Sequence, residues 1–230
     1  VGELRAALDA AAVREAALIA RLAQRDIEYD ERIGHQAATI DVLKAMSASP
    51  GDPQPVFELI VERVRELCGG EHSAIAEFDG ELLHLRAHCG NASKVGQALE
   101  ASYPRAPARN HMLGRAVLLG EAVLIEDLWA DSEYHNPELA KAANWRSAMS
   151  VPILRASTPI GAIANISYEA GGFSDAQVAL LHTFAEQAAI AITSAETYRT
   201  LQTRTADLVA RNDDNRTLIA RQQASIDVLQ

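Results

Sequence analysis

The sequence predicts an α+β fold, in which two β-hairpins and several short helices are extended at both ends by long helices. Apolar and polar residues alternate with a period of two in "SAIAEFDGELLHLRAHCG" and "PIGAIANISYE", as in half-buried strands. The first 46 residues contain no proline and only two glycines, and residues 174–230 contain neither. Long uninterrupted stretches of this kind, rich in Ala, Leu, Glu and Arg, favour helix.

Composition limits the functions that the chain can serve. Hydrophobic residues make up 48% and charged residues 23%, and the formal net charge is −10. An acidic surface repels nucleic-acid phosphates and anionic lipids, so we expect no nucleic-acid partner and no membrane contact. No continuous apolar run of about 18 residues is present, and the N-terminus shows no signal-peptide pattern. We therefore expect a segment of a longer cytoplasmic protein.

The first 48 residues predict a coiled-coil helix. Apolar residues with polar interruptions fall at alternating steps of three and four, which is the spacing of a heptad seam. The seam residues are Ile19, Leu22, Asp26, Tyr29, Ile33, Gln36, Ile40 and Leu43. The prolines and glycine of "SASPGDPQP" then end the helix.

The central region, residues 53–195, is predicted to form one domain. The amphipathic stretch "PVFELIVERVRELCGG" predicts a helix that ends at its two glycines. The elements that follow are a hairpin turning at Asp79-Gly80, helices near 92–102 and 111–119, a strand at 122–125, a helix capped by Asn136, and a hairpin around 156–158. Ser174 then caps the helix that runs to the end of the chain.

The C-terminal helix, residues 196–230, repeats the heptad seam of the first helix. Its seam positions are Tyr198, Leu201, Thr205, Leu208, Asn212, Asn215, Ile219, Gln222, Ile226 and Leu229. When Ile219 is aligned with Ile33, seven of the twelve residues 33–44 match residues 219–230. A repeat of this kind indicates a modular array in which the exit helix of one module is the entry helix of the next. The alternative is a chance match of two unrelated helices.

Residues 53–195 resemble a GAF domain, a small-molecule-sensing module of bacterial signalling proteins. The resemblance rests on the order of elements and on "GRAVLLGEAVLIEDLWADSEY", "WRSAMSVPILRASTPIGAIANI" and "FSDAQVALLHTFAEQAAIAI". The flanking helices resemble the connectors between tandem GAF domains in multi-domain sensor histidine kinases. The resemblance implies a central antiparallel sheet with helices on both faces, an α/β/α sandwich, and a pocket enclosed by short helices and loops on one face.

Small side chains on two strands agree with a pocket at that face. Ala74 and Ala76 share one face of their strand, as Ala162 and Ala164 do on theirs. A covering helix that fills the space is the alternative. The resemblance to ligand-binding members places nine residues at the pocket: Phe78, His88, Met112, Leu113, Tyr134, His135, Leu139, Trp145 and Ala164. Apolar walls with a few polar groups suit a small organic ligand.

No particular cofactor is predicted. The cyclic-nucleotide signature of the family is missing, and Cys89 ends a strand, where the family's bilin attachment does not occur. Three histidines, His88, His111 and His135, leave an axial haem ligand open. Asp127 and Arg146 are expected to form a structural ion pair.

Two other functions are compatible with the sequence. Some GAF proteins reduce methionine sulfoxide, but that chemistry needs a reactive thiolate and a second thiol nearby, and Cys68 and Cys89 are expected on opposite faces of the sheet. A ligand-free dimerisation spacer needs the same helices and sheet as a sensor. We expect a non-catalytic module that forms a parallel homodimer and passes a signal to further GAF or output domains, such as a histidine kinase, of the same chain.

Overall fold

The computed structural model describes residues 14, 15, 17–19, 21, 22, 25, 33, 34, 36–90, 93–134 and 137–227. Side chains are described for the same residues except 93–95, 137–139 and 220–227. The chain divides into two compact units, Val1–Lys44 and Ala45–Gln230. In the first unit the described residues are helical, and the continuous helical stretch 36–48 is helix α1.

An antiparallel sheet of five strands forms the centre of the second unit. The strands are β1 (His72–Phe78), β2 (Leu83–Cys89), β3 (Val123–Ile125), β4 (Ser147–Arg155) and β5 (Thr158–Ser167). Their order across the sheet is β2-β1-β5-β4-β3, and every neighbouring pair is antiparallel. The predicted α+β class and central antiparallel sheet are therefore confirmed.

Turn chemistry sets the two hairpins. Between β1 and β2, the Asp79 carboxylate accepts hydrogen bonds from the backbone N–H groups of Glu81 and Leu82 at 2.8 and 2.7 Å, and Gly80 has a φ of 104°. Between β4 and β5, a two-residue turn holds Ala156 and Ser157 at φ values of 45° and 70°. Positive φ at both central residues is the geometry of the turn that matches strand twist.

Two helices cover one face of the sheet. Helix α2 (Gln54–Leu67) contacts β1 and β2, and helix α6 (Asp175–Asp227) contacts β4, β5 and α2. The apolar residues between the layers are fully buried: Phe57, Ile60, Ile75, Val151, Ile163, Leu181 and Phe184. Their burial supplies the hydrophobic core of the unit.

Three short helices lie along the rest of the chain: α3 (Ser93–Ala101), α4 (Met112–Leu119) and α5 (Pro137–Ala142). Helix α4 packs against β1, β3, β4 and β5, and α3 contacts β2. The His111 side chain caps α4 by accepting a hydrogen bond from the Gly114 N–H at 3.0 Å, and Gly120 ends the helix with a φ of 68°. This capping fixes the residue at which α4 begins.

Helix α6 extends far beyond the sheet. It contains 53 residues, which at the rise of an α-helix gives a length of about 80 Å. All side chains described from residue 196 to 219 are exposed. By length and composition alone, Asp175–Ile219 is long and apolar enough to cross a membrane. Its sheet-facing residues Phe184, Ala188 and Ile192 are buried, as in the core helix of a globular domain, which can be equally long and apolar.

Candidate ligand-binding cavity

The floor of the candidate site is a patch of alanines on β1 and β5. The register of the two strands pairs Ala74 with Ala164 and Ala76 with Ala162. All four methyl groups lie on one face and belong to one apolar cluster with residues of α4. Because alanine side chains are short, they leave space above this part of the sheet. The predicted small-residue floor is present in the structure.

A cavity of about 340 Å³ lies over the Ala74–Ala164 end of this floor. Its walls come from β1, β2 and β5, from α3, from the segment 102–111, from the first residues of α4, and from Tyr134 and Trp145. The volume falls within the range of roughly 300–1,000 Å³ typical of small-molecule sites. Ala76 and Ala162 belong to the surrounding core but not to the lining.

Two buried polar atoms at the cavity have no hydrogen-bond partner among the described residues. One is the indole Nε1 of Trp145, whose side chain is only 2% exposed, and the other is the Oδ1 of Asn110. An unsatisfied buried donor or acceptor costs about 1–3 kcal/mol. Neither atom is exposed at the cavity surface, so a ligand would reach them only if the wall rearranged.

Two buried histidines, His72 and His111, contribute polar groups to the walls. Burial is the main cause that lowers the pKa of His72, and His88 and Arg65 lower it further. The Nε2 of His72 lies 3.0 Å from the Tyr168 hydroxyl. Burial lowers the pKa of His111 to about 4. The His111 Nδ1 accepts the capping hydrogen bond, so its proton is on Nε2, which donates to the Ala106 carbonyl at 3.4 Å.

Two tyrosines line the cavity as uncharged hydroxyls. Burial is the main reason why the pKa of Tyr103 and that of Tyr134 are each raised to about 12. The positive charge of Arg105 opposes this effect on both tyrosines. The backbone of Arg105 is fixed by two hydrogen bonds to Leu83, at 2.8 and 3.1 Å.

A buried ion pair positions the loop that carries Tyr134. The Arg115 guanidinium of α4, whose side chain is 7% exposed, donates two hydrogen bonds of 3.0 Å to the Asp131 carboxylate. Asp131 also accepts from the backbone N–H groups of Glu133 and Tyr134. The Arg115 side-chain hydrogen bonds, before all other causes, lower the pKa of Asp131. The loop is thus anchored to the helix that forms part of the cavity wall.

The ion pair expected between Asp127 and Arg146 is present and lies outside the cavity lining. The Arg146 guanidinium donates to both Asp127 carboxylate oxygens, at 3.2 and 2.8 Å. It also stacks over the Trp129 ring, 4.3 Å from the ring centroid. Together these contacts connect the segment after β3 to the start of β4.

The structure brings most of the predicted pocket residues to this cavity. His88, Met112, Leu113, Tyr134, Trp145 and Ala164 line it. Phe78 does not line it: the side chain packs against the apolar cluster at the far end of β1. His135 and the side chain of Leu139 lie outside the described residues. Whether any of these residues binds a ligand stays a prediction.

Several lining residues were not anticipated from the sequence. They are His72, Ser73, Gly96, Ala98, Leu99, Ser102, Tyr103, Arg105, Asn110 and His111. His111 was considered only as a haem ligand. Most of the others lie in α3 or in the irregular segment after it, where no periodic pattern indicates which side chains face inward. Two further lining residues follow from the sequence: Ile166 shares a strand face with Ala164, and Cys89 was expected near the pocket.

The two cysteines differ in position. Cys68 is fully buried at the end of α2 and is not part of the lining, and burial raises its pKa to about 12. Cys89 lines the cavity, and burial is the main reason why its pKa is raised. Its sulfur lies 3.0 Å from the carbonyl oxygen of Val61 in α2, the helix that ends at Cys68. The expectation that the two cysteines lie on opposite faces of the sheet is therefore wrong. Within the described ranges, no group of three or more His, Cys, Asp or Glu side chains is arranged to hold a metal ion.

Solved structures with this fold come from several classes of protein. The chain is similar to the GAF domain of a phosphoenolpyruvate-protein phosphotransferase from Coxiella burnetii, with 18% identity and a TM-score of 0.60, over 73% of this chain and 98% of that one. It is also similar to a free methionine-R-sulfoxide reductase from Neisseria meningitidis, with 17% identity and a TM-score of 0.58, over 73% of this chain and 91% of that one. A third similar structure is a domain of a putative two-component sensor histidine kinase from Sinorhizobium meliloti 1021. It has 14% identity and a TM-score of 0.53, over 66% of this chain and 97% of that one.

Sequence comparison identifies the family. A search of curated protein sequences found no match. The family model of the GAF domain matches residues 51–193, which contain the whole sheet, the cavity and the first part of α6. The chain therefore belongs to the GAF domain family.

Proposed function

We propose that this chain is a sensory module that binds a small organic ligand in the cavity above Ala164 and passes the resulting change along α6 to other domains of a longer protein. GAF domains are sensory and regulatory modules. The observation that carries the proposal is a cavity of about 340 Å³ over the Ala74–Ala164 floor, with apolar walls and a few polar groups. A spacer without a ligand would gain stability by filling this volume.

Steric blocking of the cavity tests the ligand site. Ala164→Trp adds an indole on the cavity floor, and Ala98→Trp adds one to the α3 wall, where Ala98 lines the cavity and is exposed. We expect small organic metabolites that raise the melting temperature of the wild type to leave both folded variants unchanged. Ala210→Trp, on the exposed part of α6, serves as the control. Equal responses of all four proteins would place the ligand elsewhere.

The proposed signal path needs a dimer. Apolar seam residues of α6 are exposed in the single chain, including Tyr198, Leu201, Leu208 and Ile219. A helix segment whose described side chains are all exposed gains no packing energy, and a helix of this length is stabilised when a partner covers its apolar stripe. Ile226 and Leu229, at the end of the seam, lie outside the described side chains.

The N-terminal seam shows the same property. Ile19, Leu22, Ile33, Ile40 and Leu43 are all about half exposed. We propose a parallel homodimer along both helices, since parallel pairing brings the two C-terminal ends, and any domains that follow them, to the same side. Such a module would act in the cytoplasm, without nucleic acid or membrane as a partner.

Charge substitution on and off the seam tests the dimer. Leu208→Glu places a carboxylate in the proposed seam, and Ala210→Glu places one two residues away on the opposite side of the same helix. We expect sedimentation to show a dimer for the wild type and Ala210→Glu, and a shift toward monomer for Leu208→Glu. A monomeric wild type at micromolar concentration, or equal effects of both variants, would contradict the seam.

The seam itself is suited to switching. Asn212 and Asn215 occupy adjacent seam positions, where Ile, Val or Leu would give a stable coiled coil, and buried Asn lowers stability while it fixes register. A marginal coiled coil responds to a few kcal/mol, which is the scale of a ligand's differential affinity for two states. The double variant Asn212→Val, Asn215→Leu should raise the thermal stability of the helix. In a full-length parent protein, normal ligand-responsive output from that variant would argue against this mechanism.

The properties of the cysteines support a non-catalytic role. A reductase needs a thiolate, whereas burial raises the pKa of Cys89 and, more strongly, that of Cys68. We expect both thiols to react slowly with a thiol reagent at neutral pH in the folded protein. A rapidly reacting Cys89, together with reduction of free methionine sulfoxide that Cys89→Ser abolishes, would favour the enzyme instead.

A further inference from the structure

The charge of the cavity differs from that of the whole protein. The chain carries a formal net charge of −10, yet the described lining contains neither Asp nor Glu and contains one arginine, Arg105. An isolated guanidinium in a wall with few compensating groups creates a local positive potential, and narrow clefts concentrate such a potential. The ligand would meet this potential rather than the acidic surface.

Arg105 is available for a ligand. Its backbone is fixed by Leu83, and its guanidinium forms no hydrogen bond or ion pair with any residue in the described part of the chain. The neighbouring arginines differ: Arg109 pairs with Glu133 at 3.0 Å and Arg115 pairs with Asp131 at 3.0 Å. An arginine fork without a carboxylate partner is well suited to bidentate binding of an anion.

Independent features of the cavity favour the same kind of ligand. The Trp145 Nε1–H is a buried donor without an acceptor. The N-terminus of α4 is at the cavity, where Met112 and Leu113 belong to the lining, and the partial positive charge of a helix N-terminus favours an anion. Tyr103 and Tyr134 add hydroxyls that remain protonated, because burial raises the pKa of each to about 12. Donors therefore predominate over charged acceptors.

We propose that the cavity selects a small organic carboxylate, whose negative charge pairs with Arg105. This inference rests on the proposed sensory function and specifies the ligand class. The apolar part of the ligand would lie on the floor formed by Ala74 and Ala164. A cation of equal size would be repelled, and a neutral isostere would leave the guanidinium without its partner.

Three probes of nearly equal shape separate these cases: benzoate, benzamide and benzylamine. The chain contains two tryptophans, so its NMR spectrum has two indole N–H signals, and Trp129, which stacks on Arg146 away from the lining, is an internal reference. We expect benzoate to shift the Trp145 signal saturably, benzamide to bind about tenfold more weakly, and benzylamine to have no effect. Inorganic phosphate should not compete with benzoate, because it lacks the apolar part.

Substitution of the arginine tests the role of charge. Arg105→Gln should reduce benzoate affinity about tenfold, to that of benzamide, and leave benzamide affinity unchanged. Arg105→Lys should retain part of the benzoate preference. The matched control is Arg109→Gln, which removes an exposed arginine four residues away that is not part of the lining.

The outcomes separate this inference from the proposed function. Equal binding of benzoate and benzamide, or full benzoate affinity in Arg105→Gln, would overturn the carboxylate inference and leave a neutral-ligand cavity in place. Phosphate binding without benzoate binding would also overturn it. If none of the probes shifts the Trp145 signal at millimolar concentration, the inference fails, and the blocking variants at Ala164 and Ala98 alone decide whether the cavity is a ligand site.

Discussion

Removing the Asp131 carboxylate should destabilise the domain strongly. Asp131→Ala leaves the Arg115 guanidinium, with 7% of its side chain exposed, without its bidentate partner. It also removes the acceptor for the backbone N–H groups of Glu133 and Tyr134. Breaking one side of a buried ion pair costs about 3–5 kcal/mol. Because Asp131 retains 18% exposure of its side chain, we expect the lower end of this range.

Urea denaturation measures this loss, and two further variants interpret it. Glu133→Gln alters an exposed carboxylate near the same arginine and should change the free energy of unfolding by less than about 1 kcal/mol. Arg115→Met combined with Asp131→Ala should be more stable than Asp131→Ala alone, because no unpaired buried charge remains. A loss below about 1 kcal/mol for Asp131→Ala would refute the anchoring role of this pair.

Three other predictions concern stability. Hydrogen bonds from Arg115 lower the folded-state pKa of Asp131. The stability that the Asp131 carboxylate contributes is therefore complete above its unfolded pKa of about 4 and is lost as pH falls through the folded value. Acid titration should destabilise the wild type more than Asp131→Ala. Replacing the β4–β5 turn residues by Ala156→Asn and Ser157→Gly should stabilise the domain by about 1 kcal/mol, because both positions have positive φ; no gain in urea midpoint would contradict the turn geometry. Gly161→Ala should cost about 2 kcal/mol, because its Cβ would collide with a backbone carbonyl of β1, and an unchanged midpoint would show that the strands can separate.

The elements of the fold were predictable because their signals are local. Strand alternation, the Asp79-Gly80 turn and the glycine at the end of α4 depend on neighbouring residues only, and the structure has each of them. The alanine floor was also predictable, since period-two alternation determines which side chains share a face. Its depth depends on the register that pairs Ala74 with Ala164, which the hairpin sequences alone do not reveal.

The site was predictable only in part, because its walls come from segments without periodicity. Whether Arg105 faces the cavity depends on the path of the chain between α3 and α4 and on its pairing with Leu83. The Arg115–Asp131 pair joins residues sixteen positions apart and has no sequence signature. Phe78 was placed at the pocket by the resemblance to ligand-binding members, but the cavity covers only the Ala74 end of β1.

The proposed sensory function requires that the cavity above Ala164 holds a small molecule. Mass spectrometry under non-denaturing conditions, applied to the wild type and to Ala164→Trp after both have been incubated with the same metabolite extract, measures this directly. We predict an added mass of a small organic compound on the wild type that Ala164→Trp lacks. No added mass on the wild type, or the same added mass on both proteins, would contradict the claim.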